Sequence, residues 1–263
     1  MKYPTLSAVM AATFAVQATQ AADNAIATDR PDVVESSDVV GRGRFQIETS
    51  VAFERDDAAG VRTRTRSTPT LLRFGVNDTW ELRLETDGRL SATIDDVAGS
   101  TRQTGYADVS LGAKWHMQDG DEAHGRPGIA WLMHVDVDSG SAAFRGQGLR
   151  PSLRVAAEWD LPGDVGLGVM PGMFLDRNAA GERYIGAIFA SVVSKSLTER
   201  LRGFVEVAAS QLASAHNGGN MVTFDTGLAY LIGNDMQVDV AMARGLSKAA
   251  PDFAWTVGWS VRF

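Results

Sequence analysis

Through residues 253–263 apolar and polar side chains alternate without a break. Phe253, Trp255, Val257, Trp259, Val261 and Phe263 fall on one face of an extended chain, and Ala254, Thr256, Gly258, Ser260 and Arg262 on the other. A period of two is the mark of a β-strand. Here the apolar face is so aromatic that a half-buried strand of a soluble sheet does not account for it, and lipid does. No mature segment approaches the roughly 18 consecutive apolar residues that a membrane-spanning helix needs. A bilayer core cannot satisfy backbone N–H and C=O groups, so a chain that crosses it in strands must close them into a barrel. Barrel strands carry only alternate apolar residues, which is why a near-neutral mean hydropathy is compatible with a membrane protein.

The N-terminus fits export. Lys2 supplies a short positive region, residues 6–16 are mostly apolar, and Ala18, Ala21 and Ala22 offer small-residue cleavage sites. We expect a cleaved signal peptide over residues 1–21, a periplasmic N-terminal segment over 22–42 and a transmembrane barrel over 43–263. The chain has no cysteine, which suits passage through an oxidising compartment without disulfides and removes thiolate metal sites and cysteine nucleophiles. Its formal net charge of -7 and lack of a basic tract argue against nucleic acid as a partner.

Alternating segments of about ten residues recur along the chain, and about twelve can be counted. Phe45, Ile47, Val51 and Phe53 oppose Gln46, Glu48 and Ser50; Trp80, Leu82 and Leu84 oppose Glu81, Arg83 and Glu85; Ile129, Trp131, Met133 and Val135 oppose His134 and Asp136. Two segments, around 165–175 and 184–193, are apolar on both faces and alternate weakly. Short turns are expected at 77–79, 162–164, 195–198 and 233–235, and long links at 56–60, 87–104, 139–148, 176–182, 211–220 and 245–252. With an even strand count and both termini periplasmic, all the long links fall outside, as in outer-membrane barrels. The polar stretch 118–127 departs from this pattern, being a long link on the periplasmic side. The same topology gathers Phe74, Trp80, Trp115, Trp131, Trp159, Tyr230 and Phe263 into a periplasmic aromatic girdle, with a sparser outer one at Phe53, Phe224, Phe253 and Trp255.

The expected fold is therefore all-β: a transmembrane antiparallel β-barrel of about 12 strands, of the Gram-negative outer-membrane type. Such a barrel is only somewhat wider than the eight-stranded kind that side chains can fill, so any passage is narrow. Its inward faces carry Glu48, Arg73, Glu81, Arg83, Glu85, Lys114, His134, Asp136, Arg154, Glu158, Arg202, Glu206, Asp225, Asp239 and Arg262 as lumen and selectivity candidates. Interleaved acids and bases can pair across strands or line a constriction that selects small solutes. Met170, Phe174, Tyr184 and Ile188 beside Gly166, Gly168 and Gly172 form a less polar stretch that can accept an aromatic or hydrophobic solute. No GxSxG elbow and no HExxH helix occurs. The run His134, Asp136, Asp138 is weak grounds for a metal or a catalytic base. We assign no catalytic residues, metal or cofactor.

The segment from Thr28 to Asp56 reads TDRPDVVESSDVVGRGRFQIETSVAFERD. Through Thr28, Asp29, Arg30, Pro31, Asp32, Glu35, Ser36, Gly43, Gln46 and Glu48 it resembles the opening of an outer-membrane transporter family linked to the meta-pathway of phenol degradation. Val34 stands where a Thr is expected. The resemblance implies an outer-membrane channel for passive uptake of small molecules, with aromatic or hydrophobic compounds as cargo. A barrel enzyme acting on lipid and a non-conducting structural barrel are the alternatives. Asp29, Arg30, Pro31, Asp32 and Glu35 are candidates for a plug or gate at the barrel mouth. A strand ending on Phe with no polar tail resembles the signal read by the barrel-assembly machinery, here Trp259, Val261 and Phe263. The expected partners are outer-membrane lipid, that machinery and a small-molecule solute.

Overall fold

The computed structural model describes residues 25–263. Strands account for most of it. They are β1 (Phe45–Ala58), β2 (Val61–Ser67), β3 (Thr70–Gly75), β4 (Trp80–Thr86), β5 (Arg89–Asp96), β6 (Gly99–Tyr106), β7 (Val109–Gln118), β8 (Gly128–Val137), β9 (Arg150–Leu161), β10 (Val165–Arg177), β11 (Arg183–Ser196), β12 (Leu201–Leu212), β13 (Met221–Leu231), β14 (Met236–Gly245) and β15 (Phe253–Arg262). All pair antiparallel, and β15 returns to β1 from Gln46↔Arg262 to Arg55↔Phe253, which closes the sheet. The closed ring has twelve staves, and β2, β5 and β6 extend three of them beyond the rim. No described helix is long and apolar enough to cross a membrane.

Inside and outside are inverted relative to a soluble protein. Arg73, Lys114, Glu48, Glu81, Glu206 and Gln46 are among the largest fully buried side chains, whereas Val257, Trp259, Leu82 and Ile185 face outward and exposed. An apolar belt of this extent is stable only against lipid. The aromatic rows are built by register: Trp80↔Trp115 and Trp115↔Trp131 are direct cross-strand pairs, and the Trp80 and Trp115 rings stack 5.7 Å apart. Phe45 and Phe263 stack at the same end, where the two closing strands meet. At the other end Phe53 and Trp255 stack at 4.3 Å.

The link expected at 87–104 is instead strand. β3 pairs with the inner half of β1 and β2 with its outer half, so 61–75 is one stave bent at Thr68 and Pro69. β4 and β5 likewise form one stave bent at Asp87 and Gly88, and β6 and β7 one bent at Ala107 and Asp108. The three bends lie side by side: Thr68 N–H donates to the Asp87 carbonyl and Ala107 N–H to that of Gly88. Proline removes a ladder donor, and Gly88 at φ +64 passes so close to the Thr68 carbonyl that a Cβ would sit 2.4 Å from it. The region 56–60 is also mostly strand, since β1 continues to Ala58. The polar stretch 118–127 folds as a compact turn held by an Asp121↔Arg126 bridge. The expected signal peptide lies outside the described residues.

Candidate functional site

Residues 25–44 run through the barrel interior before β1 begins. Their charged side chains are met by partners on two parts of the wall. The cation-rich half, on β3, β4, β7 and β9, receives Asp29 and Glu35. Lys114 Nζ donates to both Asp29 carboxylate oxygens at 2.8 and 2.9 Å, Arg83 donates to it at 2.6 Å, and Arg73 lies 3.3 Å away. Glu35 accepts from Arg83 at 2.5 Å and from Arg154 at 2.7 Å. The opposite half, on β12, β14 and β15, mixes acids with Arg202 and receives Arg30 and Asp32. Asp239 pairs with Arg30 at 3.1 Å, and Thr256 accepts a second hydrogen bond from the same guanidinium nitrogen. Arg202 grips Asp32 through two nitrogens at 2.8 and 2.9 Å.

Backbone groups of the segment, which form no ladder, are satisfied by wall side chains. Glu206 accepts the N–H groups of Val33 and Val34 at 2.7 and 2.8 Å, Glu48 that of Asp29, Glu158 that of Ser37 and Glu81 that of Val40. Gln46 and Arg73 donate to the Ala27 carbonyl, and Gln237 to that of Arg30. A buried polar backbone without such partners would be strongly disfavoured. Pro31 sits half-buried between Arg30, which reaches Asp239 and Thr256, and Asp32, which reaches Arg202. At Gly75 the wall admits the segment's backbone: a Cβ there would fall 1.7 Å from the Gly41 carbonyl oxygen.

The wall charges also bind one another. Arg73 forks onto Glu81 at 2.8 and 3.0 Å and reaches Glu48 at 2.9 Å. Arg83 donates to Glu81 and Glu85, and His134 Nε2 lies 3.1 Å from Arg83 and 3.2 Å from Glu85. His134 is thus a member of the ladder. Asp225 accepts from Thr223 and stands apart from the segment. Arg262 holds Asp235 at the periplasmic rim, and Asp136 lies 3.6 Å from Arg150 toward the outer mouth. Among the described residues no group of His, Asp and Glu is arranged to hold a metal ion. Trp259, Val261 and Phe263 lie on the outer face, with Phe263 N–H bonded to the Phe45 carbonyl.

The weakly alternating β10 and β11 have their own function in this arrangement. Met170, Ala190, Val192 and Phe204 line an apolar patch of the lumen, and Val34 of the segment seats in it. Two cavities lie on either side of the segment. One, about 420 Å³, opens between it and the periplasmic ends of β9 to β13. The other, about 620 Å³, opens outward and is floored by Asp29, Arg30 and Glu35. Its wall includes an arrangement that sequence reasoning missed. Asp108 accepts the Gly140 and Gly146 N–H groups and an Arg150 bond at 2.6 Å, which folds the β8–β9 loop inward and brings Phe144 to the cavity. Asp108 and Arg150 both fall at inward positions of the alternation, which was the available signal.

A family model covers residues 28–263, under the description "Putative MetA-pathway of phenol degradation". The chain belongs to that family. Its first matched residue is Thr28, within the segment inside the barrel. Among solved structures, an outer membrane channel from Pseudomonas putida F1 is similar with a TM-score of 0.61 at 12% identity, over 87% of this chain and 98% of its own. The NanC porin gives 0.53 at 12% identity, over 82% and 98%, and the transport unit of the autotransporter AIDA-I from Escherichia coli 0.51 at 14%, over 96% and 97%. These likenesses establish the fold as that of outer-membrane barrels. No curated protein matches the sequence.

Proposed function

We propose that the protein is a passive outer-membrane channel for small molecules, closed at rest by its own N-terminal segment. The observation that carries this is the pair of cavities, about 420 and 620 Å³, whose linings share no residue because the segment stands between them. A solute crossing the barrel must therefore displace residues 29–38 or slip past them. The family description and the apolar seat of Val34 favour aromatic cargo: moving Val34 aside would offer the patch of Met170, Val192 and Phe204 to a ring of similar polarity. Catalysis on lipid is disfavoured, because His134 is spent on Arg83 and Glu85 and His216 on Glu182 and Asn178. Trp259, Val261 and Phe263 would serve as the signal for the assembly machinery.

The chain's lack of cysteine permits a direct test. A Cβ built on Gly168 would lie 3.6 Å from the Val34 Cβ, within the range a disulfide spans. The double variant Val34→Cys with Gly168→Cys, reconstituted in liposomes, should pass benzoate when reduced and lose most of that flux when oxidised. Equal flux in both states would refute gating by this segment. Lipid turnover without flux would favour the enzyme, and neither activity the structural barrel.

A further inference from the structure

Beyond the rim, the outward face of the β1, β2, β5 and β6 sheet gathers cations in a protein whose formal net charge is -7. Register fixes which side chains share that face. Trp255, Phe53, Arg66 and Ser91 stand in one cross-strand row, and Phe253, Arg55, Arg64, Thr93 and Arg102 in the next one outward. Arg244 extends the second row beside Phe253, and Arg62 stands one pair farther out, beside Asp57 and Asp95. Asp57 is held by Arg55 and Arg62, and Asp95 by Arg64. Arg66 lies 5.5 Å from the Phe53 ring centroid, stacked on the outer aromatic girdle. The cations exceed the acids, and their heads are open, with the side chains of Arg55, Arg62 and Arg64 more than half exposed.

A groove of about 480 Å³ joins the two kinds of surface, with Phe53, Phe253 and Trp255 on one wall and Arg55, Arg64, Arg66 and Arg102 on the other. Its height relative to the membrane follows from strand geometry. The stacked Phe53 and Trp255 mark the outer edge of the hydrocarbon. Residues two positions farther lie about 7 Å along a strand, or about 5 Å higher once a strand tilt of about 45° is included, which brings them into the headgroup layer. Guanidinium groups at that level meet phosphate with a matching bidentate fork.

We propose that this groove binds a phosphorylated glycolipid of the outer leaflet, with its diglucosamine phosphates against Arg64, Arg66 and Arg102 and its acyl base against Phe53, Phe253 and Trp255. The aromatic wall distinguishes a lipid from free phosphate, since an inorganic anion would use the arginines alone. The location on the outward face, outside the lumen, distinguishes it from the transport path.

The test uses the full mature protein in detergent, titrated with bisphosphorylated lipid A and followed by native mass spectrometry. Wild-type protein should retain the lipid, and monophosphorylated lipid A should bind about tenfold more weakly. The triple variant Arg64→Gln, Arg66→Gln, Arg102→Gln should lose at least as much, while a control with Arg42→Gln and Arg200→Gln at the periplasmic end binds as wild type. Inorganic phosphate should fail to displace the lipid. Equal retention by the triple variant, indifference to the lipid's phosphates, equal loss in the control, or displacement by inorganic phosphate would each overturn the proposal. The comparison of the two lipids needs only wild-type protein and stands even if the triple variant does not fold.

Discussion

Asp29 holds the interior together as a single carboxylate among three cations. Lys114, Arg83 and Arg73 all lie within ion-pair distance of it, and its side chain is 2% exposed. Two of those cations keep wall carboxylates without Asp29, Arg73 through Glu48 and Glu81 and Arg83 through Glu81 and Glu85, whereas Lys114 has Asp29 as its ion-pair partner and otherwise donates to the Ser36 and Asp38 carbonyls of the segment itself. Removing the carboxylate charge should therefore loosen the segment more than the barrel. Breaking a buried charge pair from one side costs about 3 to 5 kcal/mol, enough to raise the population of a released segment by roughly two to three and a half orders of magnitude. For Asp29→Asn we expect faster amide exchange across residues 28–40 with unchanged exchange in the strands, and larger, noisier single-channel conductance. Unchanged exchange in the segment would mean that Asp32, Glu35 and the backbone bonds to Glu206 suffice to hold it. By contrast Val34→Thr, which restores the residue type expected from the family motif, places a hydroxyl against Met170 and Phe204 and should weaken the seat by about 1 to 3 kcal/mol unless it finds an acceptor.

At the scale of elements, the sequence pattern was legible where a strand faces lipid on one side and charge on the other, and failed where either side changed. β5 and β6 rise beyond the bilayer, so both of their faces meet water and neither needs to be apolar; RLSATIDD and GSTRQTGY accordingly read as a polar link. β10 and β11 were counted as strands and are strands, but their alternation is weak for the opposite reason. Their inward residues pack against Val34, so the lumen side is apolar too and the period of two disappears. The outer loops are tied in ways that alternation does not encode. Between the β10–β11 and β12–β13 loops, Glu182 accepts from Asn178 at 3.0 Å and from His216 at 2.8 Å. These hydrogen bonds, Asn178 first, hold the Glu182 carboxyl below its ordinary value. A depressed carboxylate contributes stability that is present above the unfolded value near 4.3 and is lost as the pH falls through the lower, folded value. The clasp should therefore persist at neutral pH and open in acid below the ordinary glutamate range. Hydrogen exchange at 178–182 and 214–219 should accelerate there in the wild type, and Glu182→Gln should remove that acid dependence.

The whole molecule is constrained by a closure that involves its two ends. Gln46 pairs with Arg262 and Phe263 N–H bonds to the Phe45 carbonyl, so the last residue completes the ring beside the first strand. An antiparallel ring closes this way only with an even number of staves, and this parity puts Phe263 at the periplasmic rim on the lipid side, stacked on Phe45 with centroids 6.4 Å apart. The fold, the girdles and the inward faces followed from that terminal strand. What did not follow was how the lumen charges are used. Their alternation shows that Arg73, Glu81 and Lys114 point inward, but interleaved acids and bases could pair across the wall or receive a segment, and only the path of residues 29–38 separates these outcomes. The terminal residue has a distinct role in assembly. Phe263 is 69% exposed and touches no lumen group of the network around Asp29, so a charge there should leave conduction untouched and disturb only insertion. For Phe263→Asp we expect a several-fold loss of heat-modifiable, folded protein in the outer membrane, with normal benzoate flux per folded barrel. Insertion at wild-type levels would assign the aromatic end to packing against Phe45 alone, and reduced flux through barrels already inserted would tie the closing seam to the channel itself.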